Sequence, residues 1–310
     1  MDKKPRVLFI TKDFSSHIEK SSFYLVKELQ RQADLMLWHS RGHISSILAN
    51  LPNKPDFILL NDFKPDYCPQ IKGLKNCNIP VGIIMHDLHY KVYQRKRFIE
   101  RENIQHIFSI YRDPFLSWFS EYKERMIWFP FHIPKEIFID YKLKKTHKWL
   151  MMGAMDERYY PLRRKMFETM KGEKGFHYYQ HPGYGTVDDG KKNVLAGVAY
   201  AMEINRAKMF LTCDSILHFP LLKYFEVLAC NTLLLAPGNK ELEDLGFVDE
   251  ETFVSVDEKN FIEKANYYLK HEQERIDIAI RGYKMVHELH TTEVRVKELI
   301  KNISQIVNNR

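Results

Sequence analysis

The chain has 310 residues, room for two domains with apolar cores, and its 45% apolar and 13% aromatic content excludes a disordered or fibrous polypeptide. A net charge of +7 permits an anionic partner (nucleotide phosphate, nucleic acid, acidic polymer or membrane surface) without selecting one. Cys68, Cys77, Cys213 and Cys230 show neither C-x-x-C spacing nor a histidine partner pattern, which excludes a zinc ribbon or disulfide framework and reads as reduced thiols.

No stretch reaches the ~20 apolar residues of a spanning helix, and Lys3-Lys4-Pro5 leads straight into a strand pattern. A cytoplasmic protein with at most peripheral membrane contact is expected.

In chain order, Arg6–Thr11 (RVLFIT) predicts a buried strand, and the loop 12–20 leads to a helix over about Ser21–Gln32. Ser16 and His17 sit at that strand-to-helix turn and are candidate acceptor-binding groups. Strands are predicted at Asp34–Trp38, Phe57–Leu60, Val81–Met85 and Ile107–Ile110, with a short helix at Ile44–Leu51. This alternation describes one doubly wound α/β domain. His86 and Asp87 follow the fourth strand at its carboxyl end, the side on which such sheets bind ligands. A histidine there can bond a substrate hydroxyl or stabilise developing charge; a helix-capping or solvated histidine is the plainer reading. The run 91–101 interleaves Lys91, Arg95, Lys96, Arg97 and Arg101 with aromatics. It is either a phosphate-contacting surface, with Lys91 and Arg95 as acceptor candidates, or an ordinary solvated helix face.

Phe129-Pro130-Phe131-His132-Ile133-Pro134 and the charged run 142–148 read as a crossover with few core contacts. Trp149–Met152 starts a second sheet, followed by Gly153-Ala154-Met155. Tyr160-Pro161-Leu162-Arg163-Arg164 opens a helix, and an arginine in its first turn opposes the helix dipole, as a residue kept for an anion would; a surface arginine on an ordinary helix is the equally open reading. Phe176–Gln180 is a strand, His181-Pro182-Gly183-Tyr184-Gly185 a rigid loop and Val194–Glu203 a helix. Lys208–Thr212, Leu221–Leu228 and Leu233–Ala236 make a strand–helix–strand unit. A last strand at Phe253–Val256, helices at Asp257–His271 and Glu272–His290, and an amphipathic helical tail at Thr292–Val307 follow.

Within the strand–helix–strand unit, Glu226 lies on the helix behind a loop carrying Ser215, His218 and Lys223. A carboxylate there can accept two hydrogen bonds from a ribose diol, and helix-start N–H groups with a lysine can hold a pyrophosphate. Arg163 could neutralise the remaining charge. Neither G-x-G-x-x-G nor G-x-x-x-x-G-K-[ST] occurs, so a dinucleotide dehydrogenase or a P-loop NTPase has no support.

Several segments recur in a familiar order: Met152-Gly153-Ala154, Arg158 to Arg164, His181-Pro182-Gly183-Tyr184, Asn205-Arg206-Ala207-Lys208 and Lys223 to Asn231. Glu274-Arg275, Ile278-Ala279, Gly282, His290-Thr291 and Arg295 follow them. As an ordered set over about residues 149–300, they resemble the CgeB-like, spore-maturation branch of GT-B glycosyltransferases, related to glycosyltransferase family 4. The first half resembles it in layout alone.

The resemblance implies an α/β GT-B fold of two Rossmann-like doubly wound domains facing a central cleft. It places an acceptor-side domain at 1–135, with the helix 290–310 packing back on it, and a nucleotide-sugar domain at 146–289. The implied activity moves a sugar from a nucleotide-diphosphate sugar, a UDP-sugar above all, to a hydroxyl acceptor, with retention and without a bound metal. The implied donor set is Gly153, Arg158, Arg163, Ser215, His218, Leu222, Lys223 and Glu226, with Glu226 on the ribose; His86 and Asp87 are the catalytic candidates. Acceptors open to this reading are a glycan or glycoprotein and, alternatively, a hydroxymethylated base in DNA; a non-catalytic nucleotide-sugar-binding module is the rival class. Two departures stand out. His218 occupies the place, eight positions before Glu226, where relatives carry a second glutamate, and the loop after the first strand lacks their glycines.

Overall fold

The computed structural model describes residues 4–181, 183 and 195–309. The chain divides into two compact units. The first comprises the chain up to Ser15, Lys20–Pro130 and everything from Thr292 on; the second comprises Phe131–Thr291 with the short segment Ser16–Glu19.

The first unit contains β1 (Arg6–Ile10), α1 (Ser21–Gln32), β2 (Asp34–Trp38), β3 (Gly42–His43), α2 (Ile44–Ala49), β4 (Phe57–Asn61), β5 (Ile71–Lys72), β6 (Val81–Met85), α3 (Val92–Arg101), β7 (His106–Ser109), α4 (Asp113–Trp118) and β8 (Met126–Trp128). Its main sheet is parallel, in the order β2-β1-β4-β6-β7-β8. The central strands are covered on both faces, which is why β1, β4 and β6 are continuous apolar runs with no alternation. Gly82 on β6 leaves room for two rings: a Cβ there would come within 2.8 Å of Phe57 and 2.9 Å of Phe108.

The second unit contains β9 (His147–Gly153), α5 (Pro161–Met170), β10 (Phe176–Gln180), α6 (Gly197–Asn205), β11 (Ala207–Leu211), α7 (Leu222–Ala229), β12 (Leu233–Ala236), α8 (Lys240–Asp244), β13 (Val254–Ser255), α9 (Phe261–Lys270) and α10 (Glu272–Leu289). Its parallel sheet runs β10-β9-β11-β12-β13. Trp149, Met151, Met209, Leu211, Leu233 and Leu235 form its core with Ile278 of α10. The last helix, α11 (Thr292–Asn308), returns to the first unit. There it buries Val296, Leu299 and Ile303, an i, i+3, i+7 stripe, and lies against α1.

Both sheets reverse direction next to their first strand. The winding of the first unit turns between β1 and β4, and that of the second between β9 and β11. Ligands of doubly wound sheets bind outside the carboxyl ends of the strands at such a switch point. That rule selects Thr11 with Asn61 in one unit, and Gly153 with Thr212 in the other.

Two expectations need correction. The stretch 129–134, read as making few core contacts, is largely buried: Phe129, Pro130, His132, Ile133 and Pro134 all lose their solvent. Here Ile133 donates its N–H to the His290 carbonyl at 3.0 Å and bridges to Thr291, so backbone pairing packs this passage of the chain. Arg95, expected on a surface, is the second: it is fully buried. Pro182, Tyr184, Gly185 and Val194 lie outside the described residues.

Candidate functional site

In the second unit, loops follow β9 and β11, and side chains knit the two together. The loop after β9 and the first turn of α5 carry Arg163, which is buried. Its Nη1 donates to the Ala154 carbonyl at 3.0 Å, and its Nη2 to the Cys213 carbonyl at 3.0 Å and to Thr212 Oγ1 at 3.3 Å. The guanidinium stacks on the Tyr160 ring at 4.1 Å. Gly153, in the left-handed region at φ +142°, makes this possible: a Cβ there would sit 2.9 Å from Arg163 Nη1. Arg163 Nε is buried without a hydrogen-bond partner, and among the described residues no carboxylate pairs with this guanidinium.

Lys223 and Glu226 stand one turn apart on α7, both half-buried. Tyr200, on α6, joins them: its hydroxyl donates to Glu226 Oε2 at 3.1 Å and accepts from Lys223 Nζ at 3.0 Å. Burial lowers the Lys223 ammonium to about 8; the nearby Arg163 charge pushes the same way, and Glu226 pulls back. Burial lifts the Glu226 carboxyl above its ordinary range, opposed by Lys223 and the Tyr200 hydroxyl. The Tyr200 phenol is pushed well up by burial and by Glu226. His181, after β10, is held below the usual imidazole range by burial, then by Lys223 and Arg163. Three cationic or potentially cationic groups thus repel one another at the carboxyl end of this sheet.

The β11–α7 loop adds Asp214, Ser215 and His218. Burial raises the Asp214 carboxyl, against its bond to His218 Nδ1 at 2.9 Å. His218 adopts φ +53° and exposes most of its ring. Ser215 Oγ accepts the Leu217 N–H at 3.2 Å, and the Ile216 N–H donates to the Tyr159 carbonyl at 2.9 Å, tying this loop to the one after β9. Leu222 begins α7, so its first-turn N–H groups point outward from this loop.

In the first unit, the equivalent strand ends hold His86. Its main-chain N–H donates to Asp62 Oδ2 at 3.0 Å, its Nε2 lies 2.9 Å from Asn61 Oδ1, and its ring stacks on Tyr67 at 4.4 Å. Asp87 forms an ion pair with Lys64. Burial pushes the Asp87 carboxyl up, but Lys64, with His86 and His89, outweighs it and leaves the group below the usual carboxylate range. Among the described residues, no group of three or more His, Cys, Asp or Glu side chains is arranged to hold a metal ion. A cavity of about 570 Å³ in this unit lies at the opposite strand ends, beside Val81 and His106, away from these groups.

Residues 163–301 match the model of a glycosyl transferase-like family. The sequence matches no curated protein. Solved structures match along the whole chain. A sucrose-phosphate synthase from Thermosynechococcus elongatus gives a TM-score of 0.70 at 11% identity, covering 99% of this chain and 100% of that one. A glycosyltransferase from Rickettsia africae ESF-5 gives 0.67 at 9% identity, covering 100% of both. HepE of Anabaena, solved with UDP and glucose, gives 0.64 at 7% identity, covering 97% of this chain and 100% of that one. The fold is GT-B.

The residues singled out from the sequence scatter unevenly over this GT-B fold. Gly153, Arg163, Ser215, Leu222, Lys223 and Glu226 come together at the second unit's switch point. Arg158 does not join them: it lies exposed in a two-pronged pair with Asp156, at 3.0 and 2.8 Å. The acceptor candidates are divided, Ser16 and His17 going with the second unit and Lys91 and Arg95 with the first. Lys91 is exposed at φ +46°. Arg95 is fully buried and ion-paired with Asp62 at 2.8 Å, so it is not a surface cation offered to an acceptor. The cause is its helix position: Arg95, Phe98 and Ile99 share the inward face of α3. Lys96 pairs with Glu121 and the exposed Arg101 with Glu102; Lys91 and Arg97 are the exposed cations of the run with no carboxylate partner among the described residues. Tyr200, Asp214 and Asn61 escaped the sequence reading; Tyr200 and Asn61 act through partners far along the chain, Asp214 pairs with His218 four residues on, and none belongs to a spacing motif.

If an anion binds beside Lys223, the low position of that ammonium gives its affinity a definite pH dependence. Below about 8 the ammonium is protonated and attracts a phosphate; above it the charge is lost. Affinity for a nucleoside diphosphate is therefore expected to be flat from pH 6.5 to about 8, then to fall up to about tenfold per pH unit. Calorimetry in two buffers of different ionisation enthalpy near pH 8.5 should report proton uptake on binding, and Lys223→Met should abolish both effects.

Proposed function

We propose that this protein is a glycosyltransferase of the CgeB-like branch, moving a sugar from a nucleotide-diphosphate sugar, UDP-sugar first among them, to a hydroxyl acceptor with retention of configuration. One observation carries the reading. Arg163 and Lys223 converge at the carboxyl ends of β9 and β11 with no carboxylate in direct ion-pair contact with either cation among the described residues, and Glu226, one turn beyond, reaches Lys223 only through the Tyr200 hydroxyl. Burying cations without a counter-charge is costly, so such a pair suits a site completed by a ligand anion. A diphosphate fits two cations and the first-turn N–H groups of α7, and a ribose diol fits Glu226.

The family-model match to residues 163–301 supports the donor half of this reading, and HepE, with UDP and glucose, supports the nucleotide. In the transfer, the bond from the anomeric carbon to the β-phosphate oxygen breaks and the diphosphate leaves with the electron pair. The acceptor oxygen bonds that carbon on the face the diphosphate leaves, as retention requires, and passes its proton to the departing phosphate oxygen or to a base such as His86. Arg163 and Lys223 would stabilise the leaving charge in place of a metal. His86 and Asp87 are the catalytic candidates of the first unit, His86 matching a position where related enzymes place a histidine near the donor sugar.

An α-glucosyltransferase solved with UDP and DNA shares the fold, with a TM-score of 0.60 at 12% identity. That acceptor class fits this chain less well, because three of the five cations in the run 91–101 are paired internally. A glycan or glycoprotein acceptor is the reading we keep. DNA binding would weaken steeply with salt, whereas transfer to a neutral glycan would respond little.

The deciding experiment is a thermal-shift panel of UDP, GDP, dTDP, ADP and CMP. Selective stabilisation by one diphosphate is expected, worth about 2.7 kcal/mol at a hundred times its Kd. No response to any of them overturns the reading, and binding without turnover or hydrolysis of the matching sugar nucleotide leaves only the binding module.

A further inference from the structure

We propose that Asn61 is a positioning residue that fixes His86 as the Nε2–H tautomer, so that Nδ1 is the ring nitrogen through which His86 gains or loses a proton. Hydrogen-bond direction is fixed along a buried chain of side chains. It starts at a main-chain carbonyl, which can only accept. Thr11 Oγ1 donates its proton to the Lys12 carbonyl at 3.0 Å, with the Tyr67 carbonyl 3.4 Å away. With its proton so placed, the Thr11 oxygen is an acceptor, and Asn61 Nδ2 donates to it at 2.9 Å. The same amide nitrogen donates to Ser22 Oγ at 3.0 Å. Both amide protons are thereby used, and the Asn61 amide cannot turn over without taking the Thr11 proton from its carbonyl.

The amide oxygen, Oδ1, then faces His86 Nε2 at 2.9 Å. An amide oxygen cannot donate, so the imidazole must carry its hydrogen on Nε2. Thr11, Ser22 and Asn61 are all essentially without solvent, which keeps water from relaxing the order of the chain. The ring is held in other directions too: Tyr67 stacks on it, and Asp62 takes the His86 main-chain N–H. Charged groups near it within this unit are Asp62, paired with Arg95, and Asp87, paired with Lys64.

The tautomer stands independently of the proposed function; its catalytic consequence rests on that reading. If His86 serves the acceptor, it does so as an acceptor of a hydroxyl proton at Nδ1, the polarity that proton removal from an incoming hydroxyl requires.

The test is long-range proton–nitrogen correlation spectroscopy of the uniformly 15N-labelled protein, with the His86 ring assigned by loss of its signals in His86→Gln. The expected result is a protonated-type Nε2 and an unprotonated-type Nδ1 at high pH, with only Nδ1 moving strongly as pH falls. Thr11→Val, which removes the acceptor for the Asn61 amide, should reduce the Nε2–H population. Asn61→Asp should hold the imidazolium and raise the His86 titration midpoint by about one to three pH units. In turnover assays the same variant should move the acidic limb of the pH–rate profile by a like amount, which a merely structural lesion would not do. An unprotonated-type Nε2 in the wild-type protein overturns the proposal, as does an unmoved His86 midpoint in folded Asn61→Asp. Should the Asn61 variants not fold, the wild-type tautomer alone decides. A correct tautomer in a protein that binds no nucleotide would sink the proposed function and leave this inference standing.

Discussion

Arg95→Ala is expected to lower the stability of the first unit by about 3 to 5 kcal/mol. Arg95 and Asp62 are both fully buried, 2.8 Å apart, and Arg95 Nη2 also donates to the Asp87 carbonyl at 3.1 Å. Asp62 adopts φ +75° and its carboxylate accepts main-chain N–H groups from Phe63, Lys64 and His86. Removing the guanidinium leaves that carboxylate buried without its counter-charge, which costs far more than the pair itself contributes. At roughly 2 to 4 °C per kcal/mol for a unit of this size, its thermal transition should fall by about 10 °C. Adding Asp62→Asn should recover a large part of the loss, because the neutral amide no longer needs the cation. A drop of less than about 1 kcal/mol in the single variant would show that Asp62 is solvated or paired otherwise. Because Asp62 anchors the His86 backbone, any activity of Arg95→Ala should fall as well, without loss of nucleotide affinity.

The same residue shows what the sequence could and could not disclose. Central strands such as Val81–Met85 and Leu233–Ala236 were readable to the residue, because burial on both faces demands an unbroken apolar run. The edge strand β8 was not: Met126-Ile127-Trp128 is three residues long beside a charged turn, and β3 and β5 have two residues each. Too few side chains repeat there to make a period. Glu226, Lys223 and Arg163 could be picked out because helix starts and a strand–helix–strand order set their positions locally. Arg95 was misread because a cation at an inward helix position looks like any other until its partner is known, and Asp62 is 33 positions earlier in the sequence. Tyr200 and Asn61 were invisible for the same reason: the first matters only through Glu226, the second only through Thr11 and His86.

Glu226→Ala is expected to weaken binding of the cognate nucleoside diphosphate by about a hundredfold, close to 3 kcal/mol, while changing stability little. Two charge-assisted hydrogen bonds to a ribose diol are worth at least that much in a half-buried setting. The fold, by contrast, gains little from this side chain. Its burial already works against ionisation, and the Tyr200 hydroxyl retains its bond from Lys223 Nζ when the carboxylate is gone. Because Glu226 is what holds the Lys223 ammonium up, its removal should also shift the pH edge of anion binding below about 8. Glu226→Gln keeps one acceptor oxygen without the charge and should fall between, at about tenfold. The specific control is a 2′-deoxy nucleoside diphosphate. For the wild-type protein, deleting that hydroxyl should cost much of the affinity, whereas Glu226→Ala should bind the ribo and deoxy ligands almost equally. If the deoxy penalty is the same in both proteins, Glu226 does not touch the ribose, and the two cations hold their diphosphate with the nucleoside turned elsewhere.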